Sequence, residues 1–98
     1  MTIRHVVMFT WRDDTTPGQI DAIRAALVDL SAGLPGLESY RMGTDVGVNE
    51  GNYDFAVIAD FVSLADYVHY RDDAEHQRII AELVKPSITG RAAIQVEL

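Results

Sequence analysis

Two segments of the sequence, residues 3–11 and 53–62, are rich in the β-branched and aromatic residues that favour β-strands. Side chains alternate between the two faces of a strand, so residues of one parity share a face. In both segments each face is largely apolar: Ile3, Val7 and Phe9 against Val6 and Met8, and Phe55, Val57 and Phe61 against Ala56, Ile58 and Val62. Strands of this kind have to be covered on both faces, which constrains the fold more than any other feature of the chain.

A first helix is predicted to begin at Pro17 and to end at Gly33. Residues 16–19 match a capping box with proline at the first helical position. Apolar residues then recur at helical spacing and form one stripe: Ile20, Ile23, Leu27, Leu30 and Leu34. This stripe predicts that the helix covers one face of the sheet.

A second helical region is predicted between Ser63 and Pro86. Ser63 fits the start of a short helix that runs to about residue 71, and Asp73 can cap a further piece over residues 74–84. Pro86 ends this piece because proline lacks the backbone N–H that a helix interior needs.

Two more strands are predicted over residues 37–46 and 89–98. The turn-forming residues 47–52 join the second strand to the third as a hairpin. The resulting order, β-α-β-β-α-β, is the ferredoxin-like arrangement of the α+β class, a four-stranded antiparallel sheet with both helices on one face. The first and third strands are central in it, and residues 1–98 form a single domain.

The second face of the sheet is expected to meet another copy of the chain. Tyr40 and Met42 are expected to add apolar area to that face, whereas the fourth-strand face with Gln95 and Glu97 is more polar. An exposed apolar patch usually marks an interface, and a 98-residue chain has only a modest core of its own. We therefore expect a homodimer in which two sheets form a dimeric α+β barrel.

The composition limits the other partners. A formal net charge of −7 disfavours nucleic-acid binding, because an acidic surface repels phosphates. No apolar run approaches the length of a membrane span, and the first residues lack a signal-peptide pattern. With no cysteine in the chain, we expect a soluble cytoplasmic protein.

Five short motifs, in the same order along the chain, resemble those of one protein family. They are Ile3-Arg4-His5-Val6-Val7-Met8-Phe9, Leu34-Pro35-Gly36-Leu37, Gly43-Thr44-Asp45-Val46, Tyr53-Asp54-Phe55-Ala56 and Tyr70-Arg71-Asp72-Asp73-Ala74-Glu75-His76. Together they resemble the stress-responsive A/B barrel (Dabb) family, within the dimeric α+β barrel superfamily, over nearly the whole chain. The resemblance implies the ferredoxin-like fold and the dimer.

The resemblance implies activity less directly, since a fold by itself does not fix a reaction. One plant member cyclises a polyketide by a cofactor-free aldol reaction, and another is a stable oligomer linked to stress tolerance. By resemblance to the cyclase, the catalytic candidates are His76 as general base and Tyr70 and His5 as groups that position the substrate oxygen.

The residues themselves leave these roles open. His76 follows the cap Asp73 in a first helical turn, where the helix dipole favours a neutral imidazole that could accept a proton. It could equally only pack or cap there, His5 could be a core histidine with a hydrogen-bond partner, and Tyr70 could wedge the helix against the sheet.

Three aromatic residues, Phe9, Tyr67 and Phe61, are predicted to contact the substrate, and Tyr67 competes with Tyr70 for the role of the phenol. Asp60 and Arg4 are expected to form a structural ion pair across neighbouring strands. His69 is expected on the surface.

Three functions follow. The first is a small-molecule pocket between sheet and helices in which a cofactor-independent cyclase or isomerase acts on a carbonyl or polyketide-like compound. The second is a non-enzymatic stress-response or ligand-binding dimer, favoured because Asp73 and Ala74 replace a histidine and a proline of the family pattern. The third, weaker alternative is a cofactor-free monooxygenase of the same superfamily. No cofactor and no metal site is expected.

Overall fold

The computed structural model describes residues 1–98 and has the element order that the sequence predicts. Its regular elements are β1 (Ile3–Trp11), α1 (Pro17–Ser31), β2 (Leu37–Thr44), β3 (Phe55–Phe61), α2 (Leu64–Asp72), α3 (Ala74–Ile79) and β4 (Ile88–Glu97). The strands form one antiparallel sheet in the order β2-β3-β1-β4, so β1 and β3 are central. The predicted ferredoxin-like fold is confirmed.

The helices start where the sequence places their caps. The Thr16 hydroxyl accepts the N–H of Gln19, and the Gln19 side chain accepts the N–H of Thr16, which completes the capping box. Ser63 accepts the N–H of Asp66 at the start of α2. Asp73 accepts the N–H of His76 at 3.0 Å, which fixes the first turn of α3.

The helical region before β4 is less regular than predicted. Instead of one helix over residues 74–84, α3 is followed by a π-helical turn (Ile80–Val84) and a short 3₁₀ turn (Lys85–Ser87). The ring nitrogen of Pro86 cannot donate a hydrogen bond, so regular helical bonding cannot continue through it. The Ser87 hydroxyl instead donates to the carbonyl of Leu83.

The hairpin strands are each shorter than predicted, because the loop between them is longer. The N–H of Asp45 donates to the carbonyl of Asp54, which closes the loop. The Asp45 carboxylate accepts the N–H of Gly47 and the side-chain amide of Asn52. Backbone groups that a longer ladder would have paired are therefore bonded within the loop.

The helices cover one face of the sheet and bury the main core against it. Its fully buried members come from both central strands and from the helical layer: Val7, Phe9, Ile23, Leu27, Phe55, Val57, Ile79 and Val84. No helix of the structure has the length and apolar character that crossing a membrane requires.

The other face of the sheet, here called the open face, carries no helix. Its apolar side chains come from β1, β3 and β4: Val6, Met8, Ala56, Ile58, Ala92, Ile94 and Val96. Ile94 is 59% exposed. The predicted ion pair is also found on this face, where the Arg4 guanidinium donates to both oxygens of Asp60 at 2.8 and 2.9 Å.

Tyr40 and Met42 lie on the helix-covered face, and their predicted place on the open face is wrong. The register places Tyr40 opposite Ala59 and Met42 opposite Val57, both buried under the helices. The pairing shifts at Glu38, where β2 carries an extra residue between the partners of Phe61 and Asp60. Such a bulge reverses the faces of all the residues that follow it.

Candidate functional site

A cavity of about 230 Å³ lies between the sheet and the helical layer. Its lining comes from three strands and from the helical layer: His5, Val7, Phe9, Leu27, Val57, Tyr67, Tyr70, Arg71, His76, Gln77, Ile80 and Arg91. The structure therefore brings all three predicted catalytic residues to one cavity, together with Phe9 and Tyr67.

His5 is buried on β1, with 4% of its surface exposed. The side-chain amide nitrogen of Gln95, on β4, lies 2.9 Å from its Nδ1. Since an amide nitrogen only donates, Nδ1 accepts and the neutral ring carries its proton on Nε2. Burial lowers the pKa of His5 to about 4, and the positive charge of Arg91, followed by the neighbouring His76, acts in the same direction.

His76 lies in the first turn of α3, and its ring stacks on Tyr70 with 4.1 Å between the ring centres. Its Nδ1 is 3.4 Å from the carbonyl oxygen of Arg71, which can only accept. The neutral ring therefore carries its proton on Nδ1 and leaves Nε2 free as a base. Burial lowers the pKa of His76, against the opposing effects of the Arg71 and Tyr70 backbone and of the Asp73 charge.

Tyr70, on α2, lies beside both histidines. Its ring centre is 6.0 Å from that of His5, and only 2% of its surface is exposed. Its hydroxyl is 3.1 Å from the hydroxyl of Tyr40. Burial, followed by the neighbouring Tyr40, raises the pKa of Tyr70 far above its ordinary value, so the phenol keeps its proton.

The remaining predicted contacts divide between the cavity wall and the core. The Tyr67 ring centre lies 5.0 Å from that of His5, at the cavity. Phe61 is 0% exposed and contacts the rings of Tyr67 and Tyr70 instead of lining the cavity. His69 is exposed on α2, as expected.

Sequence reasoning missed three polar residues at or beside the cavity: Gln95, Arg91 and Tyr40. Gln95 and Arg91 lie on the helix side of β4, opposite His5 and Phe9. The alternation of polar and apolar residues along β4 was the available signal, and it marked the face with Gln95 only as the more polar one. Tyr40 was missed because the bulge at Glu38 turned it towards Tyr70.

The lining of the cavity is positively charged although the chain as a whole is acidic. It contains Arg71 and Arg91 but no aspartate or glutamate. Arg71 donates to both carboxylate oxygens of Asp72, at 2.9 and 3.1 Å. No cluster of three histidine, cysteine, aspartate or glutamate side chains could hold a metal ion.

The sequence model of the family described as "Stress responsive A/B Barrel Domain" matches residues 3–98. None of the curated proteins matches this chain.

Several solved structures share the fold. A dimeric ferredoxin-like protein of unknown function from Thermobifida fusca is 39% identical, with a TM-score of 0.90 over 100% of this chain and 92% of that chain. Hydroxynitrile lyase from Passiflora edulis is 21% identical, with a TM-score of 0.85 over 97% and 91% of the two chains. A Dabb family protein from Mesorhizobium loti is 18% identical, with a TM-score of 0.83 over 99% and 96%.

Proposed function

Since the chain belongs to the stress responsive A/B barrel domain family, we propose that it forms a homodimer in which each protomer holds a small carbonyl compound in its helix-side cavity. The reaction we assign to this site is cofactor-independent proton transfer, as in the cyclisation or isomerisation of a ketone or polyketide-like compound. His76 acts as the general base, and His5 and Tyr70 hold the carbonyl oxygen.

The observation that carries this proposal is the complementary protonation of the two histidines beside Tyr70. The bond from Gln95 leaves His5 a hydrogen-bond donor through Nε2, whereas the carbonyl of Arg71 leaves His76 an acceptor through Nε2. Both pKa values are lowered, so both rings are neutral near neutral pH. One donor and one base on a shared cavity are the groups that enolisation needs.

In the first step, Nε2 of His76 removes a proton from the carbon next to the carbonyl group. The C–H electron pair moves into the new carbon–carbon double bond, and the carbonyl oxygen becomes an enolate oxygen. The Nε2–H of His5 and the Tyr70 hydroxyl stabilise that negative charge. Where the enolate is conjugated with a further double bond, the protonated His76 returns the proton to the far carbon of that system, which isomerises the compound. Where the enolate carbon instead attacks a second carbonyl group, a ring closes and the resulting alkoxide takes the proton from His76.

The dimer is supported by the open face and by relatives. Its exposed apolar side chains include Ile94 on β4, beside Val6 of β1. The Thermobifida fusca protein, 39% identical, is described as dimeric. Pairing two open faces would remove this apolar area from water and complete the cover of both central strands.

Proton abstraction can be measured without knowing the natural substrate. In heavy water, NMR follows loss of the protons next to the ketone of 4-oxo-4-phenylbutanoate and of its methyl ester. We expect the protein to accelerate exchange in at least one probe, and His76→Gln to reduce the acceleration by about a hundredfold or more, because a positioned base contributes about that much.

His69→Gln is the matched control, since His69 is exposed on α2 and lies away from the cavity. It should retain full exchange activity. Equal exchange in wild type, His76→Gln and buffer would remove the catalytic role of His76.

A ligand-binding dimer without turnover is the second candidate. It is favoured by the hydrogen bond between the hydroxyls of Tyr40 and Tyr70, because the Tyr70 proton cannot reach a substrate oxygen if Tyr70 is the donor. Binding of either probe without any exchange would support this candidate over the enzyme.

A further inference from the structure

Arg91 is a cation without a carboxylate partner at the cavity. It lies on the helix side of β4 and contributes to the cavity lining. Four of the seven arginines form ion pairs with aspartate or glutamate, and Arg24, Arg41 and Arg91 form none. Of these three, only Arg91 lines this cavity.

The chain as a whole has 15 acidic and 8 basic residues. Acidic residues therefore outnumber basic ones, yet the cavity lining contains no aspartate or glutamate. A guanidinium presents a planar fork of N–H donors that matches a carboxylate with two parallel bonds. The charge at the cavity thus complements an anionic ligand.

We propose that Arg91 binds the carboxylate of the ligand, so that the site takes a small carboxylic acid that also carries a ketone. This inference rests on the proposed function, in which the ketone lies between His5 and His76. Arg91 then acts as a specificity-determining residue that fixes which end of the ligand reaches the histidines.

The register of β1 and β4 sets the distance between Arg91 and the His5 end of the cavity. Arg91 pairs with Phe9, and Gln95 pairs with His5, four residues along the same strand. Four residues of a strand span about 13 Å, and the long arginine side chain covers part of that distance. A ligand with a carboxylate and a ketone a few bonds apart can therefore contact both ends of the cavity.

A carboxylate fits this site better than a phosphate. Arg71 already donates to both carboxylate oxygens of Asp72, so Arg91 is the one guanidinium of the cavity lining without a carboxylate partner. The start of α3 offers no anion site either, because the Asp73 carboxylate already accepts the N–H of His76 and repels negative charge. One guanidinium matches one monoanion.

The test compares two ligands that differ only in charge. Isothermal titration measures the affinities of 4-oxo-4-phenylbutanoate and its methyl ester for the dimer as purified. We expect the acid to bind about tenfold or more tightly, as a charge-assisted hydrogen bond of about 1.5–3 kcal/mol predicts. Arg91→Gln should weaken binding of the acid by the same factor and leave the affinity for the ester unchanged.

Lys85→Gln is the matched control, since it removes the same charge from an exposed residue that does not line the cavity. It should keep the preference of the wild type for the acid. Because the Arg91 side chain makes no hydrogen bond within the protein and the residue is exposed, its replacement should not disturb folding, and circular dichroism checks this.

The outcomes separate this inference from the proposed function. Equal binding of acid and ester, or equal weakening of both by Arg91→Gln, overturns the role of Arg91 and leaves the pocket intact. Tighter binding of phenyl phosphate than of the acid overturns the carboxylate in favour of a phosphate. If neither probe binds, the small-molecule site fails and this inference fails with it.

Discussion

The helix-covered face and the open face of the sheet differ in the kind of side chain they hold. Under the helices, the buried set includes His5 and Tyr70, with Tyr40 beside them. On the open face, apolar side chains such as Val6 and Ile94 lie beside the Arg4–Asp60 ion pair, at positions where a solvated sheet would carry polar residues.

Polar side chains under the helices and apolar side chains on the open face both need a physical explanation. A buried polar group costs free energy unless it has a hydrogen-bond partner, and a helix-covered sheet can be filled with apolar residues instead. The polar set under the helices is therefore best explained by chemistry at the cavity. An exposed apolar face is best explained by a partner, because water does not stabilise it.

The largest effect should come from placing a charge on the open face. Ile94→Asp would bury one carboxylate per protomer in the proposed symmetric interface. Burying an unpaired charge costs several kcal/mol, so the dissociation constant of the dimer should rise by about three orders of magnitude. Light scattering over a concentration series measures the change from dimer to monomer.

Val28→Asp is the control for this variant, because Val28 is 50% exposed on α1 and lies away from the open face. It should leave the dimer intact. A monomeric wild-type protein, or an Ile94→Asp protein as dimeric as the wild type, would show that the open face meets water.

A smaller effect should come from the pH dependence that His5 gives to stability. The pKa of His5 is about 4 in the folded protein and 6.5 as its ordinary value. Between these values the unfolded chain binds more protons, so lowering the pH favours unfolding. The contribution of His5 to the free energy of unfolding is fully present above its ordinary pKa. This contribution should fall by about 3 kcal/mol from about pH 7 to about pH 4.

His5→Gln should remove the part of this fall in stability that His5 causes. Urea unfolding at fixed protein concentration measures it. Arg91 and His76 face His5, and both remain in the variant, so the difference between the two proteins isolates His5. His69→Gln should retain the pH dependence of the wild type. An unchanged pH slope in His5→Gln would mean that His5 keeps an ordinary pKa in the fold.

The sequence was sufficient for the fold because its signals are local. Parity along β1 and β3, the cap at Thr16 and the cap at Asp73 each depend on neighbouring residues, and each is confirmed. The bulge at Glu38 was not predictable, because the register of an edge strand is decided by pairing with β3 and not by the pattern of β2 alone.

The site was predictable only in part for the same reason. His76, Tyr70 and His5 reach one cavity as the motifs predict. Their partners Gln95 and Tyr40 come from the two edge strands, 90 and 30 residues away along the chain. Contacts at that separation follow from register, which a single sequence does not specify.

The smallest effect should come from Tyr40→Phe, which tests whether the pair of hydroxyls under the helices serves the fold or the site. The variant removes one buried hydrogen bond and should cost about 1 kcal/mol of stability. Tyr53→Phe is the matched control, since the Tyr53 hydroxyl makes no hydrogen bond within the protein, and should change stability by less.

The rate of proton exchange in heavy water shows whether the hydroxyl pair serves the fold or the site. If Tyr40 donates to Tyr70, the proton of Tyr70 is free to point at the ligand. Tyr40→Phe then leaves the Tyr70 hydroxyl less well oriented and should slow proton exchange by a few-fold. Tyr70→Phe should slow it further. If Tyr70 donates to Tyr40, its proton is already used, and Tyr40→Phe should leave exchange unchanged or raise it. A rise would mean that the hydroxyl pair stabilises the fold at the expense of the reaction, and that His5 alone holds the substrate oxygen.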